Sequence, residues 1–293
     1  MNKKAMMWVV RFSVFESQHM EIVSHYLKNA QPIDSVHVQD RAFHYGDGCF
    51  STARIRGSQI ELYDRHMQRL QLACQKLYLS VDLNLVTESL LQLKQQYGVL
   101  NGTLKIIISR GEGQRGYRMP NHQADLWCVY TPQPIQDHQF SLIHAGQLSQ
   151  QLGLCMPQLV GIKSLNRLEQ VILRHELDHT PWDEALVSDI HGRIVEGVSS
   201  NYFIRINNQW ITPQLGYNGV HGVMRAELLA RMKSQGVVCQ VRDVFSADCT
   251  NIQGLFFCNA LHAMQIATRL NDQELDQSHC VELFHQLHLS QLH

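Results

Sequence analysis

Apolar positions recur at helical spacing behind Asp64, at Met67, Leu70, Cys74 and Leu77, and predict a helix with that aspartate as its cap. A second helix is predicted over about Leu83 to Tyr97. Ahead of them, residues 22–63 read as short strands and turns that close in a hairpin at Gly57-Ser58-Gln59-Ile60-Glu61-Leu62-Tyr63. Two apolar runs, Thr103 to Ser109 and Asp125 to Thr131, predict strands on either side of a glycine-rich loop. The prolines and polar residues of Thr131-Pro132-Gln133-Pro134-Ile135-Gln136-Asp137 can continue neither a strand nor a helix, and read as a linker. Beyond it come a strand from Gln139 to Ala145 and a helix with Ser164 as its cap and Leu165, Leu168 and Ile172 as its apolar stripe. Strands follow from Glu184 to Thr212, with turns at His191-Gly192 and Asn207-Asn208. A helix from Met224 to Gln235, further strands up to Phe257 and a C-terminal helix complete the pattern. The prediction is a mixed α/β (α+β) chain: an N-terminal α/β domain over 21–131, a linker over 132–138 and a C-terminal domain over 139–293.

Composition narrows the function classes. At 293 residues and 44% hydrophobic, the chain can fill one large core or two modest ones, and two domains are expected. A formal net charge of -1 supplies no field for nucleic acid or an anionic membrane, and no apolar run is long enough to span a bilayer. None of the 17 histidines forms a His-Glu-x-x-His pair and the eight cysteines contain no C-x-x-C, so no metal site is expected. Free thiols suit a reducing cytoplasm. Met1 to Phe15 has a Lys3-Lys4 pair and an apolar run, but Arg11 interrupts it and no small-residue cleavage site follows. Residues 1–20 are therefore expected to be an extension, not a secretory signal.

Three constellations bear on chemistry. In Gly161-Ile162-Lys163-Ser164-Leu165-Asn166-Arg167, Lys163 stands where loop becomes helix. A helix N-terminus and partial burial both disfavour an ammonium, and a less basic lysine is suited to forming a Schiff base. Gly219-Val220-His221-Gly222-Val223-Met224-Arg225 leads glycines into a helix, so the N–H groups of Val223 and Met224 are expected to face an anion such as phosphate. Arg69, on the exposed side of the first helix, can add a positive charge. In Arg193-Ile194-Val195-Glu196-Gly197-Val198-Ser199-Ser200-Asn201, Glu196 ends an apolar strand and can keep a heterocyclic nitrogen protonated. Singly, these are a surface lysine, a common helix start, a solvated arginine and a strand-end acid. Jointly they describe a site for pyridoxal 5′-phosphate. The loop Gly111-Glu112-Gly113-Gln114-Arg115-Gly116 formally satisfies G-x-G-x-x-G, but Pro120 and Asn121 follow where a dinucleotide fold needs a long helix. It reads instead as a flexible loop whose Arg115 and Tyr117 reach a cleft, the arginine to hold a carboxylate.

The order of these motifs resembles the fold-type IV (class IV aminotransferase) pyridoxal-phosphate enzymes, D-amino-acid aminotransferase-like in fold, from about Tyr26 to the C-terminus. The carrying runs are Asp40-Arg41-Ala42-Phe43-His44-Tyr45-Gly46-Asp47-Gly48-Cys49-Phe50-Ser51-Thr52-Ala53-Arg54, Ser109-Arg110-Gly111 with Arg115-Gly116-Tyr117, the Lys163 segment through Gln170, and Cys258-Asn259-Ala260-Leu261. Ser51-Thr52 after Phe50, where aminotransferases typically have glutamate, is most similar to the family's lyase branch. So is Arg167, near where those relatives often carry a tyrosine. The resemblance implies a cofactor between two domains and a homodimer. It gives Lys163 as the covalent attachment point, Glu196 as partner of the pyridine nitrogen, and Arg69, Val223 and Met224 on the phosphate. Asn259 falls in the last active-site loop, Thr52 assists proton movement, and Arg115 and Tyr117 meet substrate. The implied reaction converts 4-amino-4-deoxychorismate to 4-aminobenzoate and pyruvate. An aminotransferase acting on D- or branched-chain amino acids shares every cofactor contact and is the alternative. A non-catalytic protein that has kept the fold is a third reading, which Lys163, Glu196 and Arg69 together argue against.

Overall fold

The computed structural model describes residues 23–292, so the extension expected at 1–20 lies outside the described residues. The first part of the chain builds a six-stranded, wholly antiparallel sheet from β1 (His25–Lys28), β2 (Gln31–Pro32), β3 (Gly48–Arg56), β4 (Gln59–Ile60), β5 (Gly102–Ser109) and β6 (Asp125–Pro132), in the order β2-β1-β6-β5-β3-β4. Leu104, Ile106 and Ile108 on β5 and Leu126, Cys128 and Tyr130 on β6 alternate onto one buried face, as a one-sided sheet requires. Helices α2 (Tyr63–Leu77) and α3 (Leu85–Tyr97) cover that face with Leu70, Ala73, Cys74, Val86 and Leu93. Leu70, Val86 and Leu93 each contribute about 1.5–3 kcal/mol through burial, and Ala73 and Cys74 less.

Both helices fall where the spacing predicts, but Asp64 is not the cap. The cap position is Leu62, in the left-handed region at φ 54°, and Asp64 sits inside the first turn. There its charge still favours the helix N-terminus. A short helix α1 (Arg41–Tyr45) went unpredicted; Asp40 accepts from the Ala42 N–H at its start and Gly46 ends it at φ 59°.

Residues 133–140 carry no regular structure. Beyond them lies a nine-stranded mixed sheet: β7 (Ser141–Leu152), β8 (Glu184–Asp189), β9 (Ile194–Gly197), β10 (Asn201–Ile206), β11 (Gln209–Pro213), β12 (Cys239–Arg242), β13 (Gly254–Asn259), β14 (His262–Leu270) and β15 (Gln273–Glu274). Its order is β12-β11-β10-β13-β14-β7-β8-β9, with β15 beside β14 and parallel pairs at β11–β12, β14–β7 and β7–β8. Helices α4 (Leu168–Leu177), α5 (Val223–Ser234) and α6 (Ser278–Gln286) complete it. Strand β8 is buried at every position, because apolar side chains cover the sheet on both faces. On one of them Phe203 stacks on Phe256 at 5.0 Å above Met224, Leu228, Leu283 and Phe284. No described helix is long and apolar enough to cross a membrane.

Candidate active site

The peptide around Lys163 is stitched to strand β3 on one side and to the loop ahead of α5 on the other. On one side the Phe50 N–H donates to the Lys163 carbonyl at 2.9 Å and the Leu165 N–H to the Gly48 carbonyl at 3.1 Å, joining it to β3. On the other, the His221 N–H donates to the Gly161 carbonyl at 3.1 Å. Gly161 is at φ +80°, and a Cβ there would come within 2.6 Å of the His221 ring, so only glycine permits the approach. These contacts correct two expectations. Ser164 bridges Cys49 in strand fashion and is not a helix cap; α4 begins only at Leu168. Leu168 is 75% and Ile172 55% exposed, while Leu173 and Leu177 face the core, so the stripe also lies elsewhere. The helix dipole therefore does not tune Lys163. Burial does so first, then the neighbouring cations Arg69 and Arg167, and together they bring its amine down to about 8. Its Nζ lies 4.9 Å from the centre of the Phe50 ring.

Glu196, on β9, is buried, and burial pushes its carboxyl up to about 7 against the opposing pull of the Val220 N–H, Lys163 and Arg167. The Val220 N–H donates to its Oε2 at 2.8 Å. A buried acid this poorly neutralised is suited to a cationic or N–H-bearing partner in the cavity. Two residues that sequence reasoning missed shape its surroundings. Glu184 accepts from the Val198 N–H at 2.8 Å and from the Ser199 and Ser200 hydroxyls at 3.0 and 2.8 Å, fixing the turn after Glu196. Asn201 donates to the Val220 carbonyl at 3.0 Å, and its Oδ1 would stand 2.0 Å from a Cβ on Gly222. Nothing in the one-dimensional pattern marks Glu184, since its partners lie a full hairpin away.

Arg69 rises from α2 into the same space, half-buried and not on the exposed side of its helix as expected. Burial lowers its guanidinium to about 10. Its Nη2 donates to the Ser51 hydroxyl, which sits 2.5 Å from His66 Nδ1, while its Nε is buried without a partner. Burial drops His66 to about 3, so this chain stays neutral on the histidine and positive on the arginine. The first turn of α5 starts at Val223, which also lines the cavity; its N–H groups have no acceptor within the helix. Met224, expected beside Val223, does not line the cavity, and its side chain lies in the core. An orphaned guanidinium N–H beside a helix N-terminus fits a phosphate.

These groups enclose a cavity of about 730 Å³ between the sheets, ample for a cofactor with substrate. Thr52 and Phe50 line one wall, Lys163, Arg167 and Glu196 the middle, and Asn259 to His262 another. Asn259 Oδ1 accepts the N–H groups of Leu261 and His262, both at 3.0 Å, so that side chain shapes its own loop. Arg115 and Tyr117 are not brought in. Both are exposed, Tyr117 to 86%, and neither lines the cavity of its own chain. The loop that carries them turns back on Arg41, whose Nη1 donates to the Gly116 carbonyl at 2.8 Å.

Residues 48–270 match the amino-transferase class IV family. An aminodeoxychorismate lyase of Vibrio harveyi is 30% identical over 239 residues, 80% of this chain and 86% of that protein. The crystal structure of 4-amino-4-deoxychorismate lyase from Pseudomonas aeruginosa superposes with a TM-score of 0.81 at 33% identity, covering 89% of this chain and 97% of that one. A hypothetical aminotransferase from Mycobacterium tuberculosis in a PLP-bound form shares the fold at a TM-score of 0.74 and 21% identity, over 91% and 98% of the two chains. Matched over residues 48–270 and built on two sheets of this topology, the chain belongs to the class IV aminotransferases, with their fold-type IV architecture.

Proposed function

We propose that this enzyme converts 4-amino-4-deoxychorismate to 4-aminobenzoate and pyruvate, a step toward folate. The family's cofactor is pyridoxal 5′-phosphate. The observation that carries the reading is Lys163 in a cavity shared with Thr52, its amine brought to about 8. The likeness to aminodeoxychorismate lyases, at 30% and 33% identity, supports the choice of substrate.

In this reading Arg69 and the first N–H groups of α5, at Val223 and Met224, hold the cofactor phosphate. Glu196 faces the ring nitrogen, and the Asn259 loop closes the far wall. When bound, the cofactor supplies an electron sink. Lys163 Nζ, neutral in part near pH 8, takes the proton from the amine-bearing ring carbon of the substrate. The same nitrogen, helped by the Thr52 hydroxyl, returns a proton to the enolpyruvyl methylene, and the C–O bond to the ring breaks. Pyruvate leaves and the ring becomes aromatic, with no water or oxidant consumed. Aromatisation supplies the driving force, so the protein's part is placement and proton traffic.

The reading also takes residues 21–131 and 139–293 as two domains joined at 132–138, working as a cytoplasmic homodimer. Arg115 and Tyr117 then serve substrate only by reaching the other subunit's cavity. The eight cysteines, all unpaired, suit that compartment. An aminodeoxychorismate synthase supplying substrate, with 4-aminobenzoate followed by fluorescence, tests the reaction. Glutamate formed from 2-oxoglutarate and an amino acid, without 4-aminobenzoate, would replace it by an aminotransferase. Thr52→Val keeps the strand and removes the hydroxyl. It should lower kcat by about 10- to 10²-fold with cofactor retention unchanged; an unaltered kcat removes Thr52 from the proton path.

A further inference from the structure

Arg167 lines the cavity, yet its donors are turned away from it toward the protein. Nε donates to the Ser164 carbonyl at 2.8 Å and Nη2 to the Ile162 carbonyl at 3.2 Å, the two carbonyls that flank Lys163. Nη2 also meets the Ser164 hydroxyl at 3.3 Å, and Nη1 meets Gln170 Oε1 at 3.3 Å, one turn into α4. A guanidinium has only five N–H donors in a planar fork, so little is left for a substrate carboxylate. The fork geometry is what allows one side chain to hold two carbonyls of one peptide segment.

We propose that Arg167 is a positioning residue: it clasps the backbone on both sides of Lys163 and ties it to α4, so that the amine enters the cavity from a fixed peptide. The functional reading above enters only in naming the reaction that this amine serves. The need for such a clasp follows from the local structure. Residues 161–167 form neither helix nor regular strand, and they are held from outside by isolated bridges to Cys49 and Val220. Arg167 supplies the fastening from within. A small displacement of a reacting group is enough to cost about 10²-fold in rate.

The same residue also acts by charge. Facing the Lys163 amine are Arg69 from α2, Lys105 from β5 and Arg167 itself, all pressing protons off, with Glu196 from β9 opposing them. Losing the fork and losing the charge are therefore separable. Arg167→Lys keeps a cation but cannot hold two carbonyls; Arg167→Gln removes the cation as well.

Amide hydrogen exchange on the full-length enzyme is the deciding measurement. In Arg167→Lys the Phe50 and Leu165 amides should exchange at least about tenfold faster, with the rest of the two sheets unchanged. Turnover should fall about 10- to 10²-fold in kcat with KM within about twofold. The pH midpoint of cofactor capture by Lys163 should stay in place in Arg167→Lys and move upward in Arg167→Gln. Wild-type exchange at Phe50 and Leu165, or a raised KM with kcat intact, would overturn the proposal, the second by making Arg167 a substrate contact. Should Arg167→Lys fail to fold, Arg167→Gln is read by the same exchange. A wild-type enzyme that makes no 4-aminobenzoate would defeat the functional reading alone, because the exchange result judges the clasp without reference to substrate.

Discussion

Lys163→Ala is expected to end product formation, with kcat falling by at least about 10⁴-fold and no cofactor fixed to the chain by borohydride. The fold should survive the change. Its segment is held by backbone hydrogen bonds to Gly48, Phe50 and His221, none of which involves the side chain, whose Nζ lies 4.9 Å from the centre of the Phe50 ring. Removing a buried ammonium that sits near Arg69 and Arg167 also relieves repulsion. The loss is therefore chemical. The pH dependence carries a second check. An amine near 8, against the ordinary 10.5, gains its nucleophilic form as pH rises through about 8. Covalent capture of added cofactor by cofactor-free enzyme should rise through that range and level off above it. Capture that keeps climbing toward pH 10 would mean an ordinary lysine, and turnover persisting in Lys163→Ala would remove the assignment itself.

Glu196→Gln should cost about 10²-fold or more in kcat while leaving the protein folded. Glutamine keeps an oxygen that can accept the Val220 N–H, now donated to Oε2 at 2.8 Å, so the substitution isolates the charge from the geometry. In the cofactor-free protein that charge is held in an unfavourable place, with burial raising the carboxyl to about 7. A protonated ring nitrogen opposite it would draw the carboxyl back down and keep the pair ionised. Glu196→Asp, which keeps the charge on a shorter side chain, should recover part of the loss. If Glu196→Gln turned over at the wild-type rate, the acid would be a structural anchor for Val220 and nothing more.

The legible parts of this chain are those where one pattern acts alone. Strands β5 and β6 and helices α2 and α3 follow from local apolar spacing, because each has a single buried face. The Asn207-Asn208 turn follows from its residues, which take φ 48° and 61°. Strand β14 is not legible by alternation, because it buries neighbours in pairs, Ala263 with Met264 and Ile266 with Ala267. The start of α4 differs from the local signal because Ser164 is a good local cap, and a bridge to Cys49 on β3 overrides that preference. At the site, Lys163, Glu196 and Val223 carry their chemistry in their type and setting, Thr52 follows from the family resemblance alone, Arg69 follows from its charge but not its expected exposure, and all five line one cavity. Glu184 and the clasping role of Arg167 depend on contacts that only folding creates. Arg115 and Tyr117 were expected there from a motif, and a motif fixes no direction for a loop.

The double stitching of residues 161–165 sets an order of assembly. Neither half of the chain by itself can shape that stretch, because Gly48 and Phe50 on β3 fasten one end of it and His221, in the loop ahead of α5, the other. The attachment point thus matures last, after both halves have folded and met. During refolding, recovery of the cofactor's visible absorbance should lag behind recovery of far-ultraviolet circular dichroism, and the colour of the enzyme becomes a gauge of how well its halves are joined.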